Sequence, residues 1–133
     1  MAGETVVVVD DADGIRTIVE LMLQNAGYTV YSFGNAEDAL VVSKSVRIDL
    51  FLIDVTLLGI SGTDLLTGLN VKENPYEVIM ISGKCGIEFI NEATNLGAYA
   101  CLQKPFRFND LIAIVKKALA SGAAKKYRTI DIM

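Results

Sequence analysis

Short apolar runs alternate with amphipathic stretches along the chain. The runs at 5–9 and 49–53 are almost continuously apolar, which is typical of strands buried on both faces of a sheet. The stretches between such runs place apolar residues at the three- and four-residue spacing of helices. The predicted strands are 5–9, 28–33, 49–53, 76–81 and 98–102. This order predicts an α/β fold: a doubly wound, five-stranded parallel sheet with five helices on its two faces.

The predicted helices follow the strands, and glycines indicate where several of them end. The first helix contains Ile15–Leu23 and is expected to stop at Gly27, and Gly97 should stop the fourth. The others are expected at 36–46, 62–71 and 86–96, with a last helix around Leu111–Leu119 that Gly122 should close. No linker divides the chain, so we expect one domain at 1–122. Residues 123–133 should form a helical extension or the start of a linker.

Carboxylates follow two of the buried strands at the points where the apolar runs end. Asp10 and Asp11 come directly after the first strand, and Asp54 comes directly after the third. The carboxyl ends of parallel strands share one edge of the sheet, where α/β folds place their ligands. Clustered carboxylates repel one another unless a cation offsets them, and oxygen ligands suit Mg²⁺. Each aspartate alone would be read as a helix cap or loop acid, but the set favours a metal site.

Two more polar residues are expected at the same edge. Ser82 follows the fourth predicted strand, and Lys104 follows the fifth. A lysine there would offset the carboxylates and could bind a phosphoryl oxygen, and a hydroxyl could donate to a second one. Alone, each would be a capping serine or a surface lysine. Their joint placement around Asp54 favours a phosphoryl site.

Composition excludes several classes of function. The net charge of −4 and the pI of about 4.7 indicate no basic surface for nucleic acid or anionic membranes. The chain has no histidine, which excludes His-based acid–base catalysis, His-ligated zinc and an autophosphorylated histidine. Its apolar runs are too short to span a bilayer, and its N-terminus lacks the features of a secretory signal. We therefore expect a cytoplasmic location.

The two cysteines, Cys85 and Cys101, have no metal-type spacing. In a cytosolic protein such residues are ordinarily reduced, so we expect two separate thiols. The sequence contains no sign of a lowered thiol pKa at Cys101. We therefore expect Cys101 to have a packing role rather than a redox role.

The motifs together resemble the receiver domain of two-component response regulators over about 5–119. The resemblance rests on Val9-Asp10-Asp11, Ile53-Asp54, Ile81-Ser82-Gly83, Gly97-Ala98 and Lys104-Pro105-Phe106, in that order. It implies the flavodoxin-like strand order 2-1-3-4-5. It also implies a signalling switch in place of an enzyme, one that catalyses only its own phosphorylation and slow autodephosphorylation.

The resemblance assigns roles to the residues at the sheet edge. Asp54 would be the phosphoacceptor, Asp11 would bind Mg²⁺ directly, and Asp10 would assist. The backbone carbonyl of Thr56 would be a further metal ligand. By the same resemblance, Ser82 would bind the phosphoryl group. Lys104 would form an ion pair with it. A cis bond before Pro105 would aim Lys104 at the acceptor.

The same resemblance implies the partners. A sensor histidine kinase or a phosphotransfer protein would supply the phosphoryl group. A downstream protein or an output domain beyond this chain would receive the signal, and phosphorylation could also drive dimerisation. We expect no direct contact with nucleic acid or membrane.

Two departures from the family pattern keep alternatives open. Leu58 replaces the usual proline after the acceptor, and Cys101 replaces the aromatic residue that usually relays phosphorylation. One alternative is a metal-dependent phosphatase or phosphotransferase, although Thr56 stands where such an enzyme would need an acid. The other alternative is a receiver-like interaction module that is never phosphorylated.

Overall fold

The computed structural model describes residues 3–55 and 62–132, with side chains described as far as Gly122. The strands are β1 Thr5–Val9, β2 Thr29–Phe33, β3 Leu50–Asp54, β4 Glu77–Ser82 and β5 Ala100–Gln103. The helices are α1 Asp13–Asn25, α2 Ala36–Ser45, α3 Gly62–Leu69, α4 Ile87–Asn95 and α5 Phe108–Ile132, with a 3-10 turn at Val71–Glu73. In the described part of the chain, no helix is long and apolar enough to cross a membrane.

The strands form one parallel sheet in the order β2-β1-β3-β4-β5. This is the predicted α/β architecture, so both the fold class and the strand order are confirmed. Strand β3 lies at the centre of the sheet, and all of its residues are buried. The carboxyl ends of β1, β3 and β4 therefore lie side by side at one edge.

Alternate residues of the central strands enter two separate apolar cores. Val7 and Val9 of β1 face the core formed with α2, α3 and α4, whereas Val6 and Val8 face the core formed with α1 and α5. Because successive side chains of a strand point to opposite faces, a strand between two helical layers must be apolar at every position. This requirement explains the unbroken apolar runs. It no longer applies at Asp10 and Asp54, because these residues lie at the carboxyl edge of the sheet.

Glycines end two helices as predicted, but a third glycine does not. Gly27 and Gly97 adopt φ values of +101° and +103°, a left-handed conformation that other residues adopt with strain. Gly122 instead lies inside α5, which continues to Ile132, so the predicted stop there is wrong. A Cβ at Gly122 would lie 3.3 Å from Glu77 Cγ, so this glycine lets α5 approach the start of β4 closely. The backbone of α5 continues past residue 122, whereas the division into a domain at 1–122 and an extension at 123–133 stays a prediction.

Candidate functional site

The acidic cluster forms because β1 and β3 are neighbours in register. Val9 pairs with Ile53, so Asp10 and Asp54 reach the edge together. Both aspartates are buried, with 5% and 3% exposure, and Asp11 is half-buried. Carboxylate oxygens of Asp10, Asp11 and Asp54 all lie within 4.8 Å of one another. The structure thus brings together three of the residues predicted to bind metal.

Burial makes the charged form of Asp10 less favourable. The pKa of Asp10 is raised, first by burial and then by the neighbouring charge of Asp54. The Ala12 N–H, which donates to Asp10 Oδ1 at 2.9 Å, and the charge of Lys104 lower it in part. A cation would relieve the remaining repulsion, and a set of donors made only of carboxylate oxygens fits a hard ion such as Mg²⁺. The residues present therefore fit the implied metal.

Lys104 extends from the loop after β5 to Asp54 at the end of β3. Its Nζ donates to Asp54 Oδ2 at 2.8 Å, and the lysine side chain is 30% exposed while that of Asp54 is 4% exposed. The Lys104–Pro105 bond is cis, as predicted. The Lys104 N–H also donates to the Ser82 carbonyl at 2.7 Å, which joins this loop to the end of β4.

Ser82 lies at the edge, but its hydroxyl bonds within its own loop. Its Oγ accepts from the Lys84 N–H at 3.0 Å and donates to the Lys84 carbonyl at 3.1 Å. A hydroxyl has one proton to donate. To donate to a group on Asp54, Ser82 must therefore release the Lys84 carbonyl. We call residues 82–84 the Ser82 turn.

Thr56, the predicted backbone ligand, lies outside the described residues, as does Leu58. The start of α3, at Gly62, is described and packs against the end of β3. The Gly62 N–H donates to the Val55 carbonyl at 3.1 Å, and a Cβ at Gly62 would lie only 2.6 Å from Val55 Cα. Glycine is therefore required for this close approach beside Asp54.

Sequence reasoning missed Arg16, which holds the turn between β1 and α1. Its Nη1 donates to the Asp10 carbonyl at 2.6 Å, and its Nη2 pairs with Asp13 Oδ1 at 2.7 Å. The three-residue spacing of Asp13 and Arg16 in a predicted helix could have indicated the ion pair. The contact with the Asp10 backbone had no sequence signal, because it depends on the path of the turn. Arg16 is a positioning residue for the acidic cluster.

The expectation of two separate thiols is wrong, because Cys85 and Cys101 form a disulfide with a Cα–Cα separation of 6.3 Å. Cys85 lies in the loop between β4 and α4, and Cys101 lies in β5, opposite Met80 of β4. The β4–α4 loop turns back over the neighbouring strand, so residues 16 positions apart meet. The packing role expected for Cys101 is partly retained, since it also contacts the core shared with α2, α3 and α4.

Comparisons with known proteins agree with this geometry. The family model described as "Response regulator receiver domain" matches residues 6–116. The chain is 30% identical over 119 residues to sporulation initiation phosphotransferase F of Bacillus subtilis, covering 90% of this chain and 96% of that protein. It is 37% identical over 117 residues to regulatory protein VanR of Enterococcus faecium, covering 87% of this chain and 50% of that protein.

A solved structure shows the same fold. The CheY-like response regulator receiver domain protein from Methanospirillum hungatei superposes with a TM-score of 0.86 at 26% identity, covering 93% of this chain and 99% of that one. The chain thus spans nearly all of some relatives and about half of VanR. The family model covers most of the 133 residues, and the residues that carried the resemblance lie at one edge of the sheet. The chain belongs to the response regulator receiver domain family.

Proposed function

We propose that Asp54 accepts a phosphoryl group in a Mg²⁺-dependent reaction, and that the protein is a signalling switch. One observation carries the proposal: Asp54 is buried, lies within 4.8 Å of two other carboxylates and pairs with Lys104 at 2.8 Å. The 133 residues contain no histidine, so a phosphohistidine donor must lie outside them. A sensor histidine kinase or a phosphotransfer protein fits that requirement.

The chemistry needs position and charge more than acid–base groups. An Asp54 carboxylate oxygen attacks phosphorus, the P–N bond to the donor imidazole breaks, and a mixed anhydride forms on Asp54. The ammonium of Lys104 offsets negative charge on the transferred oxygens. Asp10, Asp11, Asp54 and the Thr56 carbonyl would hold Mg²⁺, which supplies further charge neutralisation and orientation. Water can hydrolyse the anhydride, so the signal is reversible.

The response starts at the Ser82 turn. A phosphoryl group on Asp54 offers charged acceptor oxygens, which bind a hydroxyl more strongly than the neutral Lys84 carbonyl does. Ser82 then exchanges partners, and the loop between β4 and α4 moves with it. This local exchange biases two conformations of the outer face, as a switch requires.

The receiver would pass its state to a downstream protein or to an output domain. VanR is about twice as long as the segment it shares with this chain, which supports an output domain joined to the receiver domain as one recipient of the signal. We place the switch in the cytoplasm, where kinases of this kind phosphorylate their partners. Dimerisation on phosphorylation is a further proposed outcome.

The test compares the parent with Asp54→Asn, using a small acyl phosphate and Mg²⁺. Mass spectrometry of the parent should show one added phosphoryl group, stable in acid and labile in base, and Asp54→Asn should show none. Asp110→Asn is the matched control, because Asp110 is exposed in the first turn of α5 and is not part of the acidic cluster. Undiminished labelling of Asp54→Asn would contradict the assignment. Continuous turnover without label would favour a phosphatase, and no reaction in the parent would favour an unphosphorylated interaction module.

A further inference from the structure

The disulfide joins two elements that the proposed switch must move relative to each other. Cys85 belongs to the loop that follows Ser82, and Cys101 belongs to the edge strand β5. Both cysteines are half-buried, so neither lies in the closed core of the domain. The bridge therefore connects the β4–α4 loop to the edge strand of the sheet outside the fully buried core.

The bridge also adjoins the Ser82 turn directly. Lys84, whose N–H and carbonyl both bond the Ser82 hydroxyl, is the residue before Cys85. Cys85 Sγ lies 4.0 Å from the Ser82 carbonyl oxygen, and the same carbonyl accepts from the Lys104 N–H at 2.7 Å. The disulfide, the Ser82 turn and the lysine loop thus form one connected unit.

We propose that Cys85 and Cys101 are a reversible redox site for dithiol reductants, and that their disulfide restrains the Ser82 turn. Disulfides in a reducing compartment are usually transient and serve catalysis or redox sensing. A bridge here would therefore form and break with the thiol pool. The restraint part of this inference rests on the proposed phosphoryl switch, whereas the redox part rests only on the proposed cytoplasmic location.

The reduction is an ordinary thiol–disulfide exchange. One thiolate of the dithiol attacks a sulfur of the bridge, the S–S bond breaks, and the other cysteine leaves as a thiolate and takes up a proton. The second thiol of the reductant attacks the mixed disulfide and releases the first cysteine. The protein gains two electrons and two protons, and the dithiol becomes a cyclic disulfide. Exchange with an oxidised low-molecular-weight disulfide runs the reaction backwards.

The restraint follows from geometry. Bridged cysteines usually keep their Cα atoms within about 4.4–6.8 Å, and here the separation is 6.3 Å. Movement of the loop away from β5 is therefore limited while the bridge exists. Two hydrogen bonds join the Ser82 hydroxyl to Lys84, and the next residue, Cys85, is bridged to β5, so the bridge opposes a shift of the turn when Ser82 changes partner. The oxidised protein should favour the conformation without a phosphoryl group.

The first experiment tests the redox site alone. The full chain is equilibrated in mixtures of reduced and oxidised dithiothreitol, trapped with acid, unfolded and alkylated with N-ethylmaleimide. Mass spectrometry should show two populations, with no label and with two labels, which interconvert as the mixture changes. Two labels in every mixture, including the most oxidising, would overturn the redox site.

The second experiment tests the restraint with beryllofluoride, a phosphoryl analogue, and Mg²⁺. The reduced protein should bind the analogue about fivefold more tightly than the oxidised protein, the lower end of typical coupling between sites. Linkage requires that the analogue shift the dithiothreitol equilibrium of the cysteines by the same factor. Amide shifts in the loop and in α4 should be larger in the reduced protein.

Single variants provide the controls. Cys85→Ser and Cys101→Ser should bind the analogue like the reduced parent and should not respond to dithiothreitol. Circular dichroism checks that each variant is folded. Equal affinity of the two variants for the analogue excludes a local defect at either position. Equal affinity in the oxidised and reduced parent would overturn the restraint alone. Absence of binding in both states would overturn the restraint together with the proposed switch.

Discussion

The proposed acceptor region and the proposed response region of this receiver domain are held in different ways. Asp10 and Asp54 are the buried ends of strands that have a neighbour on each side in the sheet. The response region consists of the Ser82 turn, the loop after it and the edge strand β5, where Lys84 is exposed and both cysteines are half-buried. Backbone with few packed neighbours opens at low cost, whereas central strands open only with the whole domain.

This difference separates chemistry from signalling. Phosphoryl transfer needs charges at fixed positions, which the central strands provide. A switch needs an element with two accessible arrangements, and the loop beside Ser82 has a hydroxyl that can bond either its own turn or a new partner. The disulfide complicates this division, because it adds a covalent restraint to the response region. Variants on the two sides should therefore have different effects.

The largest effect is expected for Lys104→Ala, which removes the cation bound to Asp54 at 2.8 Å. Loss of one preorganised donor to developing charge typically slows a reaction by about 10²–10³-fold. The rate of phosphoryl uptake from a small acyl phosphate, followed by mass spectrometry, should fall on that scale. Lys117→Ala, at an exposed position of α5, is the control and should retain the parent rate. A tenfold or smaller loss for Lys104→Ala would mean that the acidic cluster suffices without the lysine.

The accuracy of sequence reasoning follows the same division. Asp10, Asp54 and Lys104 could be predicted because each lies directly beside a strand, and strand order then determines which ends meet. The Cys85–Cys101 bridge could not, since it depends on how a loop returns over β5. The bond from Ser82 to the Lys84 carbonyl is likewise a property of the turn conformation. The predicted stop of the last helix at Gly122 is wrong, because a glycine weakens a helix without ending it when packing favours a longer helix.

Removing the bridge should lower global stability without touching the acidic cluster. A crosslink that closes a loop of about 15 residues is worth about 3 kcal/mol in the chain-entropy model. The Cys85→Ser, Cys101→Ser double variant should lose about that much unfolding free energy in urea, relative to the oxidised parent. The reduced parent is the matched control and should unfold close to the double variant. If oxidised and reduced parents unfold at the same urea concentration, the bridge does not constrain the unfolded chain.

Gly62→Ala tests the rigid support beside Asp54. The added Cβ would lie 2.6 Å from Val55 Cα, a backbone atom that cannot rotate away. Overpacking of this kind typically costs about 1–3 kcal/mol, so thermal or urea unfolding should show a loss on that scale. Gly14→Ala in α1 is the control, because a Cβ there meets nothing within 4 Å and alanine favours helix. A parent-like stability for Gly62→Ala would show that β3 and α3 separate more easily than the structure indicates.

The smallest effect concerns the electrostatic stress on the acceptor side, tested by Asp10→Asn with metal removed by a chelator. Burial, together with the charge of Asp54, raises the pKa of Asp10 in the folded protein. The folded state then binds more protons than the unfolded state over the range between the two pKa values. The unfolding free energy of the parent consequently falls as pH rises through that range.

Asparagine keeps an oxygen that can accept from the Ala12 N–H and removes the charge. Asp10→Asn should therefore match the parent at acid pH and exceed its unfolding free energy at pH 7. Saturating Mg²⁺ should reverse the order, because the parent keeps the full set of carboxylates to bind the ion. Urea unfolding at several pH values, with and without Mg²⁺, measures both effects. A variant less stable than the parent at pH 7 without metal would show that the hydrogen bonds of the Asp10 carboxylate outweigh its repulsion from Asp54, and that the acceptor side carries no electrostatic stress for a cation to relieve.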